Sequence, residues 1–203
     1  MIALSSKSFK MELYRKSVHL SSLWMPMLIL SLSRNACIVL FSALLLADLV
    51  VEYSAYNKTA VIGNLFRRMF IKTLRNREIS REGFVPSGSV YIMMAAVIVS
   101  VCFNSLAAAA AMCVMLVADS SAALVGKFCG TFRFYNGKSL EGTAAFFVSA
   151  FAVVSCFYAD APLIMVVFVA AMTTAAEFFE KELKVDDNFT IPLVCGFLLN
   201  LIA

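Results

Sequence analysis

An α-helical bundle embedded in a membrane is the fold class this sequence predicts, on three observations. Of 203 residues, 62% are hydrophobic and only 15% are charged, against about 45–50% and 25% in ordinary globular chains. The apolar residues come in continuous runs, without the period-two alternation by which a β-barrel separates lipid from lumen. The basic residues, finally, gather on one set of the connections between those runs.

The runs fall at residues 18–32, 35–51, 89–103, 106–126, 143–158, 161–179 and 189–203. Several are shorter than the ~20 residues that cross a bilayer comfortably, so flanking polar residues are expected to complete them. The expectation is one polytopic domain over residues 1–203 with seven transmembrane helices. The first run follows Lys7, Lys10, Arg15 and Lys16 as a signal peptide would, but Arg34 stands where small cleavage-site residues are needed, so an anchored helix is expected.

If the spans alternate, segments 1–17, 52–88, 127–142 and 180–188 share one side, and the turns near Arg34, Asn104 and Asp160 share the other. Of 17 Lys and Arg, only Arg34 falls on the second side. That bias predicts a cytoplasmic amino terminus and an external carboxyl terminus. The long polar loops are then cytoplasmic, and no polar mass is left outside for a sensor or an adhesin.

In the longest loop Ile62, Phe66, Phe70 and Leu74 recur every fourth residue beside Val61, Leu65 and Met69, while Arg67, Arg68, Lys72 and Arg75 occupy the remaining face. This pattern predicts a cytoplasmic amphipathic helix over residues 57–77, lying at the lipid interface and held by anionic headgroups. No aromatic platform or nucleic-acid-binding module accompanies these cations, so no nucleic-acid partner is expected. Cys37, Cys102, Cys113, Cys129, Cys156 and Cys195 lack paired spacing and read as small apolar packers.

Three acids lie in or at the edge of runs: Asp48, Asp119 and Glu177. An aspartate at the centre of a membrane helix costs ~2.5–3.5 kcal/mol on insertion scales, so such residues turn inward toward a partner. The topology puts all three near the cytoplasmic ends of their helices, where they can converge, and Glu52 follows Asp48 by one turn. Ala123, Gly126 and Gly130 share the face of Asp119 if the helix continues that far. A small-residue face of this kind serves either as a seam for close helix packing or, beside an acid, as a groove admitting a ligand. The groove is the expectation here.

Downstream, "GKSLEGT" places Lys138 and Ser139 at the start of the next helix, where free amides and the helix dipole favour phosphate oxygens. It is not a P-loop, because Phe132 stands where the first glycine belongs and no strand precedes it. "ELYRKSVHL" sets Glu12, Arg15 and His19 along one face with Lys16 beside them. "REGFVPSGS" offers Arg81 and Glu82, and "VDDNFTIP" puts Asp186, Asp187 and Asn188 at the head of the last helix, as caps or as oxygen ligands for magnesium.

Together "ELYRKSVHL", "ADSSAALVGKFCG", "GKSLEG", Glu177 and "DDNFTIP", in that order, resemble the polyprenol kinase family. That family groups dolichol kinase, phytol kinase and the CTP-dependent diacylglycerol kinase of fungi, and is related to the phosphatidate cytidylyltransferases. The resemblance runs from about residue 12 to the end. Ala118 stands where many relatives carry glycine, and the chain lacks the extra spans of the long dolichol kinases.

The resemblance implies a multi-pass lipid kinase with CTP as donor, a membrane lipid alcohol as acceptor and Mg²⁺ or another divalent cation. Its active site would lie on the cytoplasmic side of the plasma or inner membrane, or of the endoplasmic reticulum in a eukaryote. The site is expected over residues 119–142 and their neighbours. Asp119 is expected to hold the metal with Glu141 or Glu177, and Asp187 is a further ligand. Lys138 with Arg15, Lys16 or Lys127 offsets phosphate charge. Ser139, Gly142 and the adjoining amides, with Gly126 and Gly130 upstream, are expected against the nucleotide. Asp48, Glu177 and His19 are the candidates for the general base. A cytidylyltransferase is the nearest alternative and a small-solute transporter a remoter one, since coupling acids belong near the midplane of related halves and no internal repeat is visible.

Overall fold

The computed structural model describes residues 6–57 and 86–202. The amphipathic helix expected beyond Asn57, and Arg81 and Glu82, lie outside these residues. Among those described, the helices are α1 (Ser6–Ser21), α2 (Trp24–Ser31), α3 (Arg34–Tyr56), α4 (Gly88–Cys102), α5 (Ser105–Phe128), α6 (Leu140–Phe157), α7 (Leu163–Phe178), α8 (Glu180–Leu183) and α9 (Asp187–Ile202).

Local signals set most boundaries. Ser33, Asn104 and Ser139 stand just before α3, α5 and α6, where their side-chain oxygens accept from the amides of Ala36, Ala107 and Gly142. Each satisfies one of the donors that a helix start leaves open. The first apolar run departs from expectation, because it is divided between α1 and α2. Tight turns bond Ser22 N–H to the His19 carbonyl and Leu23 N–H to that of Leu20.

α5 is the central helix, packed against α1, α2, α4, α6 and α9. Ala107 to Met112 are buried on every side of it, as expected of a helix that is apolar all round. Its alanines let neighbouring backbones approach. The outer helices present apolar side chains outward: Val39, Leu46 and Val50 on α3, and Leu163, Ile164 and Phe168 on α7, are each more than half exposed. Apolar surface of this extent marks a membrane-facing or partner-facing protein. α3, α5 and α6, with 23, 24 and 18 residues, are long and apolar enough to cross a membrane; α4, α7 and α9 are apolar but shorter.

Polar groups sit at both ends of the bundle. At one, Arg34 donates to the Phe103 carbonyl at 2.7 Å, and Asn200 Oδ1 accepts from the backbone and side-chain nitrogens of Asn104. At the other, the end of α5, the start of α6, the end of α7 and the start of α9 meet α1 around a polar cleft. All six cysteines are free thiols. Cys37 and Cys195 are packed inside, whereas Cys102, Cys129 and Cys156 are exposed, so the packing role foreseen for all six holds for only some.

Candidate functional site

The cleft has a volume of about 440 Å³. It opens where α5 runs out of buried alanines and reaches Asp119. Asp119 is buried and paired with Lys16 of α1, which is buried as well. His19, one turn along α1, brings Nε2 to 3.4 Å from the same carboxylate oxygen. The motif around His19 and the motif around Asp119, a hundred residues apart in sequence, therefore form one unit.

A second lysine–carboxylate pair faces the cleft from α7 and the loop before α6. Lys138 Nζ lies 2.6 Å from Glu177 Oε1 and 3.5 Å from Glu180 Oε2, and it also donates to the Glu177 carbonyl. Glu177 is buried, and its Oε2 has no hydrogen-bond partner. At the rim Glu12 holds Arg15 at 2.5 Å and Lys127 at 3.3 Å. Arg15, Lys16, Lys127, Lys138, Asp119 and Glu177 thus share one cleft, as the sequence motifs predict.

A tight hairpin delivers Lys138. Arg133 and Ser139 form an isolated antiparallel bridge, and the turn passes through Gly137 at φ +85°, a conformation that suits glycine. Asn136 clamps the hairpin to α7 by donating to the Phe178 carbonyl at 2.8 Å, while its Oδ1 accepts from Lys138 N at 3.0 Å. Lys181 donates to the Asn136 carbonyl. "FYNGK" reads as a turn from sequence, but the partner of its asparagine is a tertiary fact.

The surroundings of the glycines, Glu141 and Asp48 differ from expectation. The glycines form a packing seam. A Cβ on Gly126 would lie 2.8 Å from Ser139 Oγ, one on Gly142 would lie 2.9 Å from the Ala122 carbonyl, and one on Gly130 would lie 2.2 Å from the Gly126 carbonyl. Gly126 and Gly142 still line the cleft, whereas Gly130 does not. Ser139 also lines the cleft; it is buried and caps α6, accepting from Gly142 N at 3.0 Å, so the Gly142 amide is taken while the Ser139 hydroxyl keeps its own proton to donate. Glu141 turns to the hairpin, where its Oε1 accepts from the amide and hydroxyl of Thr131, and it is not a wall of the cleft.

Asp48 does not line the cleft either. It stands on α3 with Glu52, which accepts from Ser87 N at 3.0 Å, from the Ser87 hydroxyl and from Ser89 Oγ at 3.3 Å. Glu52 thereby joins α3 to the start of α4, and Asp48 Oδ2, one turn before it, is buried without a hydrogen-bond partner. Replacing Glu52 by alanine strands the buried Ser87 amide, while the two serine hydroxyls keep each other at 2.8 Å. The expected cost is about 1–2 kcal/mol, read as a lower unfolding midpoint in detergent, with glutamine at this position closer to wild type.

The donor set of the cleft suits a hard divalent cation, for which carboxylate oxygens are the ordinary ligands. Ligand oxygens of Glu180, Asp186 and Asp187 lie within 4.8 Å of one another. Glu180 and Asp187 also line the cleft, together with Glu177 and its unpartnered oxygen. Asn188 donates to Asp186 Oδ1 at 2.7 Å and orders that corner. Glu180 was not foreseen as a site residue; its position one turn beyond Glu177 was the available signal. The metal residues Asp119, Glu177 and Asp187 are brought to one cleft, and Glu141 is not.

No family model matches the chain, and no solved structure does. Over 194 residues, 94% of each chain, it is 29% identical to an uncharacterized protein of Rickettsia prowazekii. It is also 35% identical over 88 residues to an uncharacterized protein of Methanocaldococcus jannaschii, which covers 43% of this chain and 44% of that relative.

Proposed function

We propose that this protein is a CTP-dependent lipid kinase, transferring the terminal phosphoryl group of CTP to the hydroxyl of a membrane lipid alcohol such as a polyprenol, phytol or diacylglycerol. The observation that carries the reading is the meeting of two lysine–carboxylate pairs from separate parts of the chain, Lys16 with Asp119 and Lys138 with Glu177, in one cleft at the end of an apolar bundle. Phosphoryl transfer needs alignment and charge neutralisation more than covalent help from protein, and such a cleft supplies both.

We read the bundle as seven membrane passages, α1 and α2 together making the first and the shorter α4, α7 and α9 completed by flanking residues. Arg34 then marks the external end and the cleft the cytoplasmic one, in line with the single basic residue on that side. A nucleotide reaches the cleft from water while a lipid alcohol enters sideways. This explains why polar residues stand near the end of a helix whose earlier turns are apolar.

Asp119, Glu177 and Asp187, with Glu180 nearby, would hold a divalent cation, which would neutralise the charge of the transferring phosphate. Arg15, Lys16, Lys127 and Lys138 hold the phosphate oxygens, and Arg133, a cleft residue the sequence motifs left out, adds a guanidinium. The lipid oxygen attacks the γ-phosphorus, the bond to the β-phosphate oxygen breaks, and CDP leaves. The hydroxyl proton passes to His19 Nε2, buried without a hydrogen-bond partner, since Glu177 Oε2, equally without one, is given to the cation. Asp48 drops out of the base candidates because it lies on the α3–α4 junction.

Purified protein given labelled CTP, Mg²⁺ and a panel of polyprenols, phytol and diacylglycerol is expected to yield a lipid phosphate and CDP. A CDP-lipid with pyrophosphate from phosphatidate would assign the protein to the cytidylyltransferases instead. Folded protein that forms neither product would refute the reading.

A further inference from the structure

Two of the carboxylates expected to hold a cation are already taken. Asp119 and Lys16 are buried together, and Glu177 keeps one oxygen on Lys138. The cleft is also balanced in charge, with five basic and five acidic side chains among its lining residues. A divalent cation arriving alone meets two ammonium groups that must first give way. A polyphosphate arriving alone meets the carboxylates. Arriving together, each draws off the group that opposes the other, and a lysine's flexible four-carbon stem permits the exchange.

Resting on the reading of the cleft as a metal and polyphosphate site, we propose that Lys16 and Lys138 are resident counterions, which hold Asp119 and Glu177 until an oxyanion draws the ammonium groups away. Metal and phosphate then bind as a couple. Glu177 Oε2, on a residue only 6% exposed and without a hydrogen-bond partner, is ready for a ligand before the exchange. The coupling is reciprocal, since whatever factor phosphate adds to metal affinity, metal adds to phosphate affinity. It also leaves the protein without a tightly held cation between turnovers, so an unloaded cleft does not keep a Lewis acid exposed to water.

The test is a Mn²⁺ titration followed by electron paramagnetic resonance, on the full chain in lipid nanodiscs. Sulfate serves as the oxyanion probe, because it is tetrahedral and chelates manganese weakly, and chloride at equal ionic strength is the control. Sulfate is expected to tighten Mn²⁺ binding to the wild-type protein by about tenfold, within the usual range of coupling between two sites. Lys16→Met is expected to tighten Mn²⁺ binding in chloride by a similar factor, about tenfold, and to lose most of the sulfate effect.

Removing one member of a buried pair weakens folding, so Lys138→Met, whose lysine is less buried, makes the same measurement at Glu177. The wild-type comparison needs no variant. Equal Mn²⁺ affinity of the wild type in sulfate and chloride would overturn the proposal, as would folded lysine variants that bind Mn²⁺ no more tightly than wild type in chloride. If lipid phosphorylation is observed with salt-independent Mn²⁺ binding, the counterion role falls and the kinase stands. Sulfate-coupled binding without any lipid product keeps the counterions and removes the kinase. Absence of Mn²⁺ binding in every condition defeats both.

Discussion

Asp119→Asn is expected to cut lipid phosphorylation by about 10³-fold or more while the bundle still folds, the scale on which preorganised charge acts in phosphoryl transfer. Asp119 projects from the central helix, against which α1, α2, α4, α6 and α9 pack, and it faces both Lys16 and His19. Asparagine keeps the volume and an oxygen that accepts from Lys16, but loses the charge a divalent ligand needs. Lys16, only 5% exposed, would then lack its counterion, so stability should also fall, by about 2–3 kcal/mol. The two effects separate in the double variant Lys16→Met with Asp119→Asn. Both charges are gone, and neutral replacement of a buried ion pair is often harmless to folding, so the unfolding midpoint should recover while turnover does not. The measurements are the initial rate of lipid phosphate formation and the melting temperature of each protein in the same detergent. A near-normal rate in Asp119→Asn would discard this carboxylate as a metal ligand.

Legibility from sequence divides along the line between local and tertiary causes. The runs at 35–51, 89–103 and 106–126 correspond to α3, α4 and α5 within a few residues, apart from the last turns of α3, because apolar continuity and a capping Ser or Asn act within a turn or two. The break between α1 and α2 is different. Leu20, Leu23 and Trp24 continue the apolar run, and the Ser21–Ser22 pair between them is too weak a turn signal to separate two helices by itself.

The same division holds for the site. Asp119 and Glu177 were readable as inward-facing, since a carboxylate within a lipid-exposed face has no solvent. Asp48 carries the same signal and went to another junction, because the partner an inward acid finds depends on which helix is beside it. Glu141 satisfied the dipole expectation for a first helical turn, yet its side chain folds back to Thr131. Charge near a helix start says that the residue is welcome there, not which way it points.

The second large effect is expected at Gly142, where the sequence suggested contact with a ligand and the structure shows contact between helices. Gly142→Val is expected to destabilise the protein by about 3 kcal/mol, overpacking at a close helix crossing adding to a weakened cap. A Cβ at this position lies 2.9 Å from the Ala122 carbonyl, 3.0 Å from Ser139 Oγ and 3.1 Å from Gly126 Cα. Two of those three atoms are backbone and cannot rotate aside, so α5 and α6 must separate. The third is the hydroxyl that caps α6, so relief in that direction costs the hydrogen bond to the Gly142 amide. Separation would also widen the cleft, since Asp119 rides on α5 and Lys138 enters α6 through the hairpin, and lipid phosphorylation should fall along with the melting temperature. Gly137→Ala, at φ +85° in the hairpin, is the informative contrast. It strains one exposed turn by about 1 kcal/mol and disturbs Lys138 without touching the α5–α6 crossing. If Gly142→Val melts like wild type, the seam is looser than these distances imply, and the reassignment of the glycines from ligand contact to helix packing is wrong.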